Sequence, residues 1–218
     1  MANWSRMSYA RLVSAAHTLY TNARANPDIV AEMTEFGYTA PDDYDAGLAL
    51  LADAHAATGT LAAEHADALA ATAASDRATD HLQARFIADR RRARRAHPSG
   101  TDGYSALHLA GDAPRAEADL IQAAATFYNT LTSRPDLAVP IRRMPSERIA
   151  ESLALVAAAR DADTAQARED GEAQRASQLR KQAISALRAH AAEMAASAEE
   201  ALEDHPQLRE TLGLLERS

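Results

Sequence analysis

The chain has 218 residues, a formal net charge of −8, no cysteine and only 5% aromatic residues. The lack of cysteine excludes disulfides, thiolate nucleophiles, zinc–thiolate sites and iron–sulfur clusters. Since 55 residues are alanine, while β-branched and aromatic residues are sparse, the composition favours helices over sheets.

Proline and glycine divide the chain into segments whose apolar residues recur at steps of three and four, which is typical of amphipathic helices. Segments 5–25 and 114–133 are each predicted to form a helix of about 30 Å. Segments 42–97 and 146–205 contain no proline, and we expect each to form one long helix of roughly 80 Å. A hairpin that bends near Gly59 or Gly171 is the alternative for each. The predicted fold class is all-α: an antiparallel helical bundle with two long helical segments and several shorter helices.

A self-comparison of the sequence indicates an internal duplication. A shift of 108 residues places segment 13–30 over segment 121–138, and matches outside alanine make the alignment informative. These matches are Tyr20 with Tyr128, Pro27-Asp28 with Pro135-Asp136, and His97-Pro98 with His205-Pro206. We therefore predict two helical repeats, 1–112 and 113–218, that pack as one pseudo-twofold bundle.

Four segments carry a resemblance to a known group of proteins. They are EMTEFGYTAPDDYDAGLALL (32–51), LIQAAATFYNTL (120–131), REDGEAQRASQLRKQAISAL (168–187) and EDHPQLRETLGL (203–214). The chain resembles a family of uncharacterised bacterial tandem-repeat proteins with an all-helical bundle. That resemblance implies a duplicated helical bundle and implies no known activity, cofactor or catalytic residue.

The histidines offer weak candidates for a metal site. His190 and Glu193 lie one turn apart on a predicted helix, and His55 and His65 belong to a second histidine-containing tract. The chain lacks the Glu-x-x-His pattern of di-iron bundles, and ten residues rotate His65 by about 80° from His55. We interpret all four as surface residues of acidic helices and predict neither a cofactor nor a resident metal.

The most concentrated charge lies in the run DRRRARRAHP (89–98), which contains Arg90, Arg91, Arg92, Arg94 and Arg95. The corresponding end of the second long segment is acidic instead, with Glu199, Glu200, Glu203 and Asp204. One hypothesis is that the two clusters pair between copies of the chain. The alternatives are a solvated helix end, whose dipole favours cations, and an anion or nucleic-acid contact. The acidic net charge and the lack of interleaved aromatic residues make nucleic acid the weaker partner.

No pattern indicates catalysis, since the chain has neither a Gly-x-Ser-x-Gly turn nor a phosphate-binding Gly-rich loop with its lysine. We therefore expect a non-catalytic structural or interaction protein that forms a homodimer or higher homo-oligomer. A small-ligand or metal carrier with a site inside the bundle is the first alternative. No apolar run reaches the length of a membrane span, and the first twenty residues lack the apolar stretch of a signal peptide, so a cytoplasmic location is expected.

Overall fold

A computed structural model describes residues 4–214, and every regular element in that range is helical. A short 3-10 helix at Trp4–Arg6 precedes α1 (Tyr9–Ala25), α2 (Pro27–Glu35), α3 (Asp42–Ala96), α4 (Asp102–Ala106), α5 (Glu117–Ser133), α6 (Pro135–Ala138), α7 (Ser146–Ala201) and α8 (Pro206–Thr211). The predicted all-α fold class is confirmed.

The two long helices, α3 and α7, are continuous over 55 and 56 residues, as predicted, and the hairpin alternative is wrong. Gly59 and Gly171 lie inside them, and a Cβ atom at either position would meet nothing within 4 Å. A single glycine costs a helix only about 1 kcal/mol, which is too little to break either one. No helix among residues 4–214 combines enough length with enough apolar character to cross a bilayer.

Local sequence signals account for the boundaries of the shorter helices. The Ser8 side chain accepts a hydrogen bond from the Arg11 amide and caps α1, and Asn26 caps α2 in the same way. Pro27 and Pro135 occupy the first turns of α2 and α6, where the missing N–H is not needed.

The same order of helices occurs twice along the chain. A helix of 17 residues, a short helix, a helix of 55 or 56 residues and a final short helix make up α1–α4 and again α5–α8. The predicted boundary between repeats 1–112 and 113–218 falls in the segment between α4 and α5. The first three and last four residues of the predicted repeats lie outside the described range.

The structure divides into two compact units, and each unit contains residues from both predicted repeats. Unit 1 combines the chain up to Glu64 with the chain from Ala173 onward, and unit 2 is formed by His65–Glu172. In each unit, the first helices of one repeat therefore lie with the last helix of the other. This exchange follows because the long helices pack antiparallel and each one contributes to both units.

Polar contacts show the antiparallel packing directly. In unit 2, Arg85 Nη1 lies 3.4 Å from a Glu151 oxygen, and Arg148 Nη2 lies 2.7 Å from Asp89 Oδ1. Position 85 of α3 thus pairs with position 151 of α7, and the later position 89 pairs with the earlier position 148, as antiparallel packing requires. In unit 1, the Arg180 Nε atom of α7 donates to Thr58 Oγ1 of α3 at 3.3 Å.

Each unit has its own apolar core. The core of unit 1 is formed by α1, α2, the start of α3 and the end of α7. The core of unit 2 is formed by α5, α6, the end of α3 and the start of α7, where Phe86, Phe127 and Tyr128 pack edge to face. Alanine lets the helices approach closely, and leucine, isoleucine, methionine and a few aromatic side chains fill the space between them.

Tyr20 and Tyr128, which the duplication aligns, lie fully buried in the two cores. The Tyr20 hydroxyl lies 2.9 Å from His190 Nδ1, whereas the Tyr128 hydroxyl donates to Asp89 Oδ2 at 3.1 Å. Burial, which penalises the phenolate, raises the pKa of both side chains and also that of Tyr44. Because the folded chain holds these protons more tightly than the unfolded chain, their contribution to stability is complete below the ordinary tyrosine pKa. It is lost as the pH rises through the folded-state values.

We therefore expect three of the six tyrosines to ionise only when the protein unfolds in base. A titration of tyrosinate absorbance, recorded together with helical circular dichroism, checks this. The control is the guanidinium-unfolded chain, in which all six should ionise together near pH 10. A single ionisation step at that pH in a fully helical protein would contradict the buried geometry.

Candidate anion-binding site

The arginine run lies in the last two turns of α3, and two of its members hold a neighbouring loop. Arg90, which is only 7% exposed, donates through Nη2 to the carbonyl oxygens of His108 and Ala110, at 3.0 and 2.7 Å. Arg94 donates to the carbonyl oxygens of Leu109, at 2.9 Å, and Gly111. These carbonyl groups lie outside the helices and need hydrogen-bond donors from elsewhere. Arg90 and Arg94 supply those donors, so their side chains are used in contacts within the chain. Burial, reinforced by the charge of Arg94, lowers the pKa of Arg90.

A third arginine of the run, Arg92, belongs to a buried ionic cluster centred on Asp89. Asp89 is fully buried and accepts hydrogen bonds from Arg148 Nε and Nη2 on α7, at 3.0 and 2.7 Å from Oδ1. Arg92 Nη1 also lies 2.7 Å from Oδ1, and the Tyr128 hydroxyl donates to Oδ2. Three helices, α3, α5 and α7, thereby converge on one carboxylate, which a buried charge requires.

The remaining charge of the run lies next to a recess, which we call the arginine recess. It has a volume of about 340 Å³ and is lined by Arg92, Arg95, Ala96, Pro140 and Arg142. Arg95 and Arg142 are exposed, and neither lies in an ion pair within residues 4–214. Arg91 lies on the neighbouring face of the helix, beside Arg115.

The arginine recess carries a net positive charge even after its internal partners are considered. Asp89 compensates one arginine, and the C-terminal end of α3 adds roughly half a negative charge. Arg95 and Arg142 remain uncompensated. Guanidinium groups bind carboxylates and phosphates through paired N–H donors, so the recess is suited to holding an anionic group. Arg142 was missed by the sequence analysis, although its place in a dibasic pair between Pro140 and Pro145 was a usable signal.

The acidic end of α7, defined as Glu199, Glu200, Glu203 and Asp204, lies in unit 1. Glu200, Glu203 and Asp204 are exposed, Glu199 is half-buried, and none of the four lies in an ion pair in the described part of the chain. Acidic side chains at a helix C-terminus oppose the helix dipole, at a cost of a few tenths of a kcal/mol each. The stability of α7 therefore does not explain why these acids are there.

The four weak metal candidates do not come together. His55 lies against Tyr9, with its Nδ1 atom 3.3 Å from the hydroxyl, and ten residues of continuous helix separate it from His65 by about 15 Å along the axis. His190 Nδ1 forms a hydrogen bond with the Tyr20 hydroxyl, and Glu193 is exposed. Within residues 4–214, no group of three potential ligands with atoms within 4.8 Å of one another contains any of these four residues.

Comparisons of this chain with protein-family models, with curated proteins and with solved structures gave no match. The resemblance to bacterial tandem-repeat bundle proteins therefore stays a prediction.

Proposed function

We propose that the protein is a non-catalytic interaction protein that associates with copies of itself, the arginine recess of one copy binding the acidic end of α7 in another. The observation that carries this proposal is the convergence of Arg92, Arg95 and Arg142 on one recess of about 340 Å³. Arg95 and Arg142 have no carboxylate partner within residues 4–214, and in the same range no basic side chain forms an ion pair with the four residues of the acidic end of α7.

A second copy supplies the complementary charge because every copy carries both clusters. Exposed ion pairs contribute only about 0.2–1 kcal/mol each, so they set the rate and register of association more than its strength. Apolar contact has to supply most of the free energy of association. Leu69 and Leu179 on the long helices are 72% and 49% exposed, so both are available for contact with a second copy.

We also infer that the chain arose by duplication of a four-helix segment. The repeated order of helices and the equivalent burial of Tyr20 and Tyr128 support this inference. Since the duplicated long helices end in opposite charge, the two repeats would have diverged into a basic and an acidic contact surface.

Charge reversal tests the self-association. We expect the double variant Arg95→Glu, Arg142→Glu to shift the protein from oligomer to monomer, because like charges then face each other in the arginine recess. Arg92 is left intact since it contacts Asp89. The variant Glu200→Arg, Glu203→Arg, Asp204→Arg should do the same. An equimolar mixture of the two variants should recover a hetero-oligomer, which native mass spectrometry distinguishes once one of them is isotope-labelled.

The matched control is Arg175→Glu, which reverses an exposed arginine of α7 that lies in no ion pair among the described residues. It should leave the mass of the oligomer unchanged. A monomeric unmodified protein, or an oligomer that survives both reversals, would refute the proposal.

Binding of a small anion in the same recess is the second candidate function, and the three converging guanidinium groups favour it. The recess has the size of a small-molecule site at the lower end of the usual range. Calorimetric titration with inorganic phosphate and with pyrophosphate tests it. Saturable binding that Arg95→Gln and Arg142→Gln remove, in a protein that stays monomeric, would favour this function over self-association.

A further inference from the structure

A second recess in unit 2 has the opposite chemical character. It lies where the end of α5, α6, segment 139–145 and the start of α7 meet, and its volume is about 780 Å³. Small-molecule sites commonly have volumes of about 300–1,000 Å³ and mostly apolar walls. The walls here are mainly aliphatic, and we call the site the apolar recess; they include Leu131, Ala138, Val139, Ile141, Met144 and Ile149.

The wall residues show that the apolar recess is continuous with the core of unit 2. Leu131, Ile141 and Met144 are buried against unit 2, yet each also borders the open volume. Val139, beside them, is 84% exposed, the highest exposure among the large apolar side chains of the described chain. An apolar body placed in the recess would remove these surfaces from water, which favours binding.

One positive charge lies in the lining of the apolar recess. Arg143 is exposed, and no carboxylate within residues 4–214 forms an ion pair with it. Its backbone is left-handed, with φ of 61°, a conformation that residues other than glycine adopt infrequently. Consecutive arginines thereby line different recesses, Arg142 the arginine recess and Arg143 the apolar one.

We propose that the apolar recess binds a small amphiphile with a single anionic group, such as a medium-chain carboxylate. The carboxylate accepts hydrogen bonds from the Arg143 guanidinium. Ser146, the first residue of α7, lines the same recess, so the helix dipole also favours negative charge there. The hydrocarbon body packs against the aliphatic walls. The two recesses have no lining residue in common, so this proposal does not rest on self-association.

The experiment is a fluorescence titration with anilinonaphthalene sulfonate, whose aromatic body and single sulfonate match this chemistry, followed by displacement with decanoate. We expect one saturable site per chain, displaced by decanoate and neither by acetate, which lacks the apolar body, nor by decyltrimethylammonium, which has the opposite charge. Arg143→Gln should weaken decanoate binding about tenfold, because a charge-assisted hydrogen bond is lost.

Ala150→Phe provides a second, independent variant. Ala150 is an exposed residue of α7 that lines the recess, so a phenyl ring there fills the volume while the core stays intact. It should abolish binding of both probes. The control for Arg143→Gln is Arg175→Gln, which removes the same charge at an exposed α7 position outside the recess and should change nothing.

Three results would overturn the proposal. The first is the absence of saturable binding. The second is binding that Arg143→Gln and Ala150→Phe leave unchanged. The third is an oligomeric mass that falls on Ala150→Phe, since a second copy would then cover the recess.

Discussion

Asp89→Asn should lower the free energy of unfolding by about 3 kcal/mol, the lower end of the range for breaking a buried ion pair. Asp89 is fully buried and accepts from Arg148, Arg92 and Tyr128. An asparagine keeps the shape but removes the charge, and its amide donors would face guanidinium donors. The Arg148 and Arg92 side chains remain 24% and 30% exposed, so water partly compensates them and the cost stays below the maximum.

Urea unfolding followed by circular dichroism measures this effect. The matched control is Asp80→Asn, an exposed carboxylate on the same helix for which no ion pair is found among the described residues. It should change the stability by less than about 0.5 kcal/mol. Equal effects of the two substitutions would mean that the Asp89 cluster does not stabilise unit 2.

The path of the backbone was largely predictable from local signals. Proline and asparagine mark where helices begin, and the lack of proline across the long segments predicted two continuous helices, because one glycine cannot offset a full ladder of hydrogen bonds. The opposite charges at the C-terminal ends of α3 and α7 were also visible in the sequence. These features depend on neighbours within about four residues, which a sequence displays directly.

The partners of the charged residues were not predictable in the same way. The arginine run reads as five equivalent cations, yet Arg90 and Arg94 bind loop carbonyls, Arg92 contacts Asp89, and Arg95 lines a recess. Which role each one takes depends on where the segment after α4 and the segment after α6 return to α3. The Arg90 and Arg94 contacts join residues 15 to 20 positions apart, and Arg148 reaches Asp89 across 59 positions, so no periodic pattern encodes them. The Arg92–Asp89 contact, by contrast, spans three positions within α3.

The exchange of helices between the two units likewise depends on contacts between residues far apart in the sequence. Each predicted repeat contributes its first helices to one unit and the end of its long helix to the other. A repeat of 108 residues therefore does not mark a folding unit when its longest helix is too long to be covered by its own short helices. The repeat boundary is a property of the sequence, and the compact units follow from the length of α3 and α7.

Gly47→Ala and Gly59→Ala should have opposite effects, although both remove a glycine from the interior of α3. A Cβ atom at Gly47 would lie 2.4 Å from Cε1 of the Tyr20 ring, whereas a Cβ atom at Gly59 would meet nothing within 4 Å. Helix propensity favours alanine at both positions by up to about 1 kcal/mol. At Gly59 this gain should appear as increased stability.

At Gly47 the steric term outweighs that gain. Tyr20 is fully buried and its hydroxyl contacts His190, so the ring cannot move aside without opening the core of unit 1. Overpacking a core commonly costs about 1–3 kcal/mol, and a contact this short belongs at the upper end, which leaves a net loss of about 2 kcal/mol. The fluorescence of Trp4, the single tryptophan and a member of the unit 1 core, reports the unfolding. If Gly47→Ala stabilised the protein as much as Gly59→Ala, the close approach of α1 to α3 at Tyr20 would be disproved.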